Sequence, residues 1–392
     1  MSIIGKNIDR ITETGLSSIV FITALLTYGV TVDRSASFWD CPEYITCASL
    51  LEIGHPPGNP FWMLAMRFAT IPFSAEYHAL VIGLCSSLFM ALAAFLLTKI
   101  TFSISFYVAT KYLHKHNQPT FFVTLISSIA AVTAGMTFAF CDSAWFSAVE
   151  AEVYAMSAFL TSLVIWLMIK WAKTYNHAHR KRLLILIAYI TGLSIGVHQL
   201  NLLCIPVLSL IYVFRKYPYG KSALRAWIAI FISFIIIILI LIGMMNGTLS
   251  WMQTFELRAV NSLGMPYFSG VYIYLIMLVI AAVIAVAVAT NGARCVTAIS
   301  MSAFIWLSGI FVFKGDLIIA AILSTISSVA VVYCLHWDRA KVISCIFSLA
   351  FILLGYSSFA LILIRGYASP PMNEGAPTDI FALSSYIARD QY

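Results

Sequence analysis

Two carboxylates three residues apart, Asp40 and Glu43, stand in the run FWDCPEY and offer the plainest chemistry in the chain. At that spacing both lie within one helical turn, and one of them can serve as a general base toward a hydroxyl group. The same run has a structural reading. Asp40 is a good N-cap, Pro42 suits a first turn, and Glu43 stands where a capping box puts its acid. Both readings hold at this level, and one residue can do both. The expected helix, residues 41–53, is stopped by Gly54. His55-Pro56-Pro57-Gly58 then forms a rigid turn that presents His55, either as an incidental residue at a helix stop or as a donor to a phosphate or sugar.

Three further loops carry chemistry. In CDSAWFSAVEAEVYAMS, Glu150 and Glu152 are two apart and so would not share a helix face. Beside an apolar span a carboxylate is costly unless it is paired or functional. In GVHQLNLL, His198 and Asn201 are related as i and i+3, either gluing helices together or facing outward. Arg258 suits a phosphate, or a salt bridge to a neighbouring acid.

The elements that must position these residues are membrane helices. Apolar residues make up 61% of the 392 and charged residues 10%, against about 25% charge in a soluble domain. Mean hydropathy is +0.93. The chain reads as an all-α polytopic membrane protein with no hidden soluble domain. About eleven spans are expected, near 16–32, 78–101, 120–140, 156–173, 183–197, 200–214, 226–245, 271–290, 296–313, 317–335 and 343–364. The first is read as a retained span rather than a cleaved signal. Basic flanks on both sides of 183–214 favour a short hairpin over one long helix.

The net charge of +7 reflects loop topology and not nucleic acid. With the N-terminus cytoplasmic, 17 Lys and Arg against 3 acids fall inside, and 6 against 13 fall outside, so +7 separates into +14 and −7. Basic inner loops are ordinary, but the positive-inside rule does not ask for acidic outer ones. The first outer loop, 33–77, is the richest in signals. Phe38, Trp39, Phe61 and Trp62 are expected as interfacial anchors, and 60–73 as a helix lying in the interface. Cys41, Cys47 and Cys141 fall outside, where a disulfide is permitted but spacing alone does not establish one. Carboxylates, histidines and aromatics at one membrane surface suit a lipid-linked donor and an acceptor arriving from water. Glycosyl transfer then needs a base on the acceptor hydroxyl and cations or donors on the departing phosphate.

The motifs FWDCPEY…LEIGHPPGNPF, WFSAVEAEVYAMS, GLSIGVHQLNLL and NSLGMPYFSG, with IRGYASPPMNEGAP and SSYIARDQY near the end, carry a resemblance across essentially the whole chain. They resemble a bacterial membrane family of formerly unknown function related to eukaryotic plexin-type protein O-mannosyltransferases. The resemblance implies a GT-C-type, inverting glycosyltransferase that moves a mannose-like sugar from a polyprenyl-phosphate donor to a Ser or Thr hydroxyl of a secreted or envelope protein. It implies a bacterial inner membrane with a periplasmic active face. Asp40 maps onto the key acid of the first outer loop, with Glu43 its neighbour; His55, Glu150, Glu152, His198, Asn201 and Arg258 are then candidate donor and lipid-phosphate contacts. Domain limits follow as a transmembrane domain 1–364 and an outer tail 365–392. Because such sequences usually continue further, a truncated or split form with a separate C-terminal subunit is expected. No cofactor is required, unless the donor is a lipid-linked oligosaccharide, where a divalent metal on Asp40, Glu43, Glu150 and Glu152 would fit. Rival classes are a transporter or flippase, and a non-enzymatic envelope scaffold. The enzyme reading expects Asp40, His55, Glu150 and His198 to meet at one outward cavity.

Overall fold

Apolar chain has no water to bond its backbone inside a membrane, so each segment must satisfy its own N–H and C=O groups, and the helix does this. The computed structural model describes residues 3–114, 120–217, 222–313 and 315–390; Lys115, Lys221, Lys314, Gln391 and Tyr392, which enter the charge and tail expectations, lie outside the described residues. Among the described residues the elements are helices and there is no β-strand. The protein is an all-α polytopic membrane protein, with two compact units.

The first unit comprises residues 1–54, 59–175 and 194–204. It holds α1 (Ile3–Thr31), α2 (Cys41–Leu50), α3 (Pro60–Thr70), α4 (His78–His114), α5 (Thr120–Ala139), α6 (Asp142–Val149) and α7 (Tyr154–Lys173), and a 3₁₀ turn Gln199–Cys204. Four of these, α1, α4, α5 and α7, run alternately and pack together. Their contact is made largely of alanines, Ala24, Ala91, Ala94 and Ala155 among them, around Val20 and Tyr28. Small side chains let membrane helices approach closely, since lipid gives them no hydrophobic reason to associate. At one end, Tyr28 Oη donates to Ala139 O at 2.6 Å, Ser87 Oγ donates to Ala148 O at 2.8 Å, and Asp33 N donates to Val149 O at 3.0 Å. These bonds tie the ends of α1, α4, α5 and α6 together and set Asp33 beside Val149. At the other end Lys99 lies 3.6 Å from Glu13.

The second unit, residues 55–58, 176–193 and 205–392, holds α8 (His177–Ile195, its last two residues counting with the first unit), α9 (Ile205–Lys216), α10 (Ser222–Ile238), α11 (Met245–Leu257), α12 (Ser269–Asn291), α13 (Arg294–Leu307), α14 (Leu317–Cys334), α15 (Arg339–Tyr356), α16 (Ala360–Tyr367) and α17 (Ile380–Ala388). Short π-helical stretches, Leu239–Met244 and Arg258–Ser262, flank α11. Trp251 Nε1 donates to Trp306 O at 2.9 Å, and Tyr274 Oη donates to Leu307 O at 2.7 Å. Gly243 and Gly247, one turn apart, lie against the backbone of Ile310 and Gly309, so closely that a Cβ at either would collide with a carbonyl oxygen.

Nine helical segments among the described residues are long and apolar enough to cross a membrane, against about eleven expected. The two that fall short are α8, whose first turns carry Arg180, Lys181 and Arg182, and α13, an apolar helix of 14 residues. The stretch 183–214 does divide, with α8 and α9 separated by the turn at 196–204. The stretch 246–270, left between two expected spans, is instead helical to Ser262: α11 carries Gly247 in its interior, where it packs on Gly309, and the chain breaks only at Gly264-Met265-Pro266.

Gly247→Leu should cost about 1–3 kcal/mol by overpacking, since the colliding atom is backbone that cannot rotate away. A lowered thermal midpoint of the purified protein in detergent checks this, and an unchanged midpoint would contradict the close approach.

Candidate active site

The site is assembled at the pinned end of the first unit. Asp40 precedes α2 with helical backbone angles (φ −80°, ψ −5°), and its side chain makes no cap hydrogen bond. Three other aspartates in this chain behave differently. Asp316, Asp338 and Asp379 precede their helices with extended ψ, and each carboxylate accepts from two backbone N–H groups of the first turn. An N-cap normally has such non-helical backbone, which aims its oxygen back at the helix. Asp40 is exposed. The structural reading of Asp40 as a capping side chain is therefore set aside by the geometry.

α2 ends at Leu50, three residues before the expected stop, because Leu51 takes a left-handed conformation (φ 55°). The chain then packs Gly54 directly against the Glu43 carboxylate, which would have to move to admit a Cβ there. One turn along α2, Tyr44 is buried, and Asn59 Nδ2 donates to its hydroxyl at 2.6 Å. Asn59 takes φ 40°, a region asparagine tolerates, and Pro60 follows in the first turn of α3. Trp62 packs edge-on to Tyr44 at 5.1 Å and is 1% exposed. It is thus a core residue, not the interfacial anchor expected; backbone bonds from Phe61 N and Trp62 N to Gly196 O pull the start of α3 inward. Phe38 and Trp39 are the aromatics left in the open.

Three carboxylates act on that buried phenol. Burial, and then the negative charges of Glu152, Asp40 and Glu43, push the Tyr44 hydroxyl well above its ordinary range. Tyr44 therefore stays a neutral hydrogen-bonding group at any physiological pH. Glu152 is 8% exposed. It lies in the irregular segment 150–153 between α6 and α7, as does Glu150, so the helical argument that kept the two glutamates on separate faces does not apply. Tyr154 opens α7 and packs against His198, the two rings tilted by 52° with centroids 5.4 Å apart.

Asp40, Glu43, Glu152 and, through Tyr154, His198 are therefore grouped. Glu150 belongs to a neighbouring cavity: Ser37 Oγ donates to its Oε1 at 2.7 Å, and burial raises its pKa above the usual carboxylate range. Asn201 is buried and ties the 194–204 turn to α7, accepting from Ser157 and Thr161 and donating to Ser194 O. That is the helix-gluing role. His55 and Arg258 belong to the second unit, His55 next to a cis Pro56-Pro57 bond and Arg258 exposed in the π-helical stretch after α11. The cysteines are free thiols, with Cys41 and Cys47 buried and Cys141 exposed. Sequence reasoning passed over Tyr44, Asn59 and Glu52. Glu52 is 6% exposed, with an Oε1 that has no hydrogen-bond partner among the described residues. The signal for Asn59 was present, since an asparagine between glycine and proline marks a special backbone position.

Residues 40–221 match the family described as the protein O-mannosyl-transferase TMEM260 N-terminal domain. Protein O-mannosyl-transferase TMEM260 of Mus musculus is 26% identical over 176 residues, which is 45% of this chain and 22% of the mouse protein. The chain thus matches less than a quarter of that relative's length. No solved structure matches. The chain is related to the eukaryotic protein O-mannosyltransferases, through a stretch that starts at Asp40 and holds every candidate residue but Arg258.

Because Glu150 has a raised pKa in the folded state, the stability it contributes is complete below its unfolded pKa and is lost as pH rises through the folded value. Glu150→Gln keeps an oxygen for Ser37 and never ionises. The variant should be more heat-stable than wild type at pH 7–8, the difference vanishing below about pH 4. Parallel melting curves for the two proteins across that range would overturn the assignment.

Proposed function

We propose that this chain is a membrane glycosyltransferase that moves a mannose-like sugar from a polyprenyl-phosphate donor to a protein Ser or Thr hydroxyl on the outer, periplasmic face of a bacterial inner membrane. The observation that carries it is the gathering of Asp40, Glu43 and Glu152 around Tyr44 at one end of a helix bundle, within the stretch related to the O-mannosyltransferases. The reading gives Asp40 the base's part. The acceptor oxygen attacks the anomeric carbon as its proton passes to the Asp40 carboxylate. The bond from that carbon to the phosphate oxygen breaks, and its electron pair leaves on the lipid phosphate. Attack opposite the leaving group inverts the anomeric centre.

Several features support this reading. Asp40 is exposed, as a base that meets an incoming hydroxyl must be, while Glu152 and Tyr44 are buried around it and fixed in place. The His198 imidazole, braced on Tyr154, is a donor suited to the departing phosphate. Residue type alone makes His55 and Arg258 further candidates for phosphate contact.

A variant of the reading is transfer of a lipid-linked oligosaccharide assisted by a divalent cation. Asp40, Glu43 and Glu152 fit such an ion by chemistry, being hard oxygen donors. Transfer by the purified protein that is lost in EDTA and restored by Mg²⁺ or Mn²⁺ would favour it; transfer that persists in EDTA would exclude a required ion.

Asp40→Asn should lower sugar transfer from a polyprenyl-phosphate-mannose donor by about 10²–10⁴-fold, the range for loss of a general base. Its thermal midpoint should stay near wild type, since no cap bond is lost. Full activity in that variant would remove Asp40 from the role. Mass spectrometry of envelope proteins with and without the gene tests the activity itself, unchanged glycosylation favouring the transporter or scaffold.

A further inference from the structure

An open cavity of about 580 Å³ lies at the same end of the first unit, within the size range of ligand sites. One wall is the irregular segment from Asp33 to Phe38, the other the end of α6 from Phe146 to Glu150. The walls are zipped together by the Asp33–Val149 backbone bond and by the Ser37–Glu150 bond. Asp33 is itself held in a tight turn by Ser35, whose N–H and hydroxyl both donate to its carboxylate. The cavity therefore has a fixed floor.

Both walls run straight into the carboxylate cluster. Ser37 is three residues from Asp40 and Glu150 is two from Glu152, so the cavity lies within about 10 Å of chain from each. Its lining has two parts. Glu150, Asp33, Arg34 and Ser37 can meet backbone amides, carbonyls and hydroxyls. Phe146 and Phe38, the latter 82% exposed, offer broad apolar faces.

We propose that this cavity seats the acceptor, as an extended polypeptide segment whose hydroxyl-bearing residue is carried from the cavity to Asp40; this rests on the transferase reading above. A lipid-linked donor comes from the bilayer, whereas an acceptor chain comes from water and needs an open site. Such a chain presents side chains of varied size, which two aromatic faces accommodate without selecting one shape. Backbone N–H groups find Glu150 and Asp33, and carbonyls find Arg34. A site for a free sugar would instead enclose a ring within a closed polar shell.

The probe is a fluorescent synthetic peptide of about ten residues containing Ser and Thr, titrated by anisotropy into the full chain in nanodiscs without donor. Ala36→Trp fills the cavity from an exposed position, and Phe38→Ala removes one wall without touching the core. Each is expected to weaken peptide binding at least tenfold and to raise the peptide KM while leaving the donor KM unchanged. Ala36→Trp is used only if its melting curve matches wild type; Phe38→Ala stands in if it does not. Peptide binding unaffected by the variants, no peptide binding by wild type, or displacement of the peptide by soluble mannooligosaccharide would each overturn the proposal. Turnover with a cavity-independent peptide KM would sink the cavity and leave the transferase reading. Cavity-dependent peptide binding with no turnover would sink the transferase reading instead.

Discussion

A carboxylate beside a membrane must be held by something, and the arrangement of the first unit follows from that constraint. Glu150 and Glu152 are both nearly buried, Glu43 is wedged against Gly54, and Asp40 stands exposed among them. Bringing this much negative charge together at the end of an apolar bundle is unfavourable unless neighbours share it. Tyr44, Asn59 and Ser37 supply neutral hydrogen-bonding groups there, and the pinned ends of α1, α5 and α6 keep the loops from opening. The rigid alanine-packed bundle below makes that pinning effective. Helices that could slide would let the loops part and the charges disperse into water.

Much of this was legible in the sequence because membrane helices announce themselves by length and apolarity. The all-α architecture, the outer-loop motifs and the division of 183–214 follow from composition and the placement of basic residues. The misses have local causes. The loop after α10 was read as loop because polar residues such as Asn246 and Glu256 broke the apolar run. Glu256 is in fact 1% exposed, its carboxylate accepting from Phe268 N and Val271 N at the start of α12. A buried acid that caps a neighbouring helix cannot be told from a loop acid by hydropathy. Trp62 was misplaced for a similar reason, since an aromatic near a membrane surface has two homes and only the backbone bonds to Gly196 choose between them.

The site residues divided along the same line. Asn201 and His198 sit three apart in one turn, and spacing treats them alike. Packing does not: Asn201 has three partners in its own unit, while His198 is half-buried against the ring of Tyr154. Glu150 and Glu152 were separated by a helical argument that fails because the chain is irregular there. What the sequence could not carry was the meeting of Glu152 with Asp40 across 112 residues, since that depends on which helix ends are tied.

Asp40 is the residue for which the structural and functional explanations compete most closely, and the chain contains its own control. An aspartate before a helix is ordinarily explained by capping, and capping is what Asp316, Asp338 and Asp379 do, each with two backbone donors. Had Asp40 shared their extended backbone, its conformation would need no other cause. Instead its backbone is already helical, and Pro42 removes one of the two first-turn N–H groups that the other three aspartates use, leaving that of Glu43. Trp39 before it is held at φ 63°, an uncommon conformation for a bulky residue. The sequence DCPE therefore resembles a capping box, yet the Asp40 side chain makes no cap bond. Its carboxylate takes no part in capping and stands in the field of Glu43 and Glu152 beside Tyr44, which supports the proposed role. That is the physical ground for giving Asp40 the base's part.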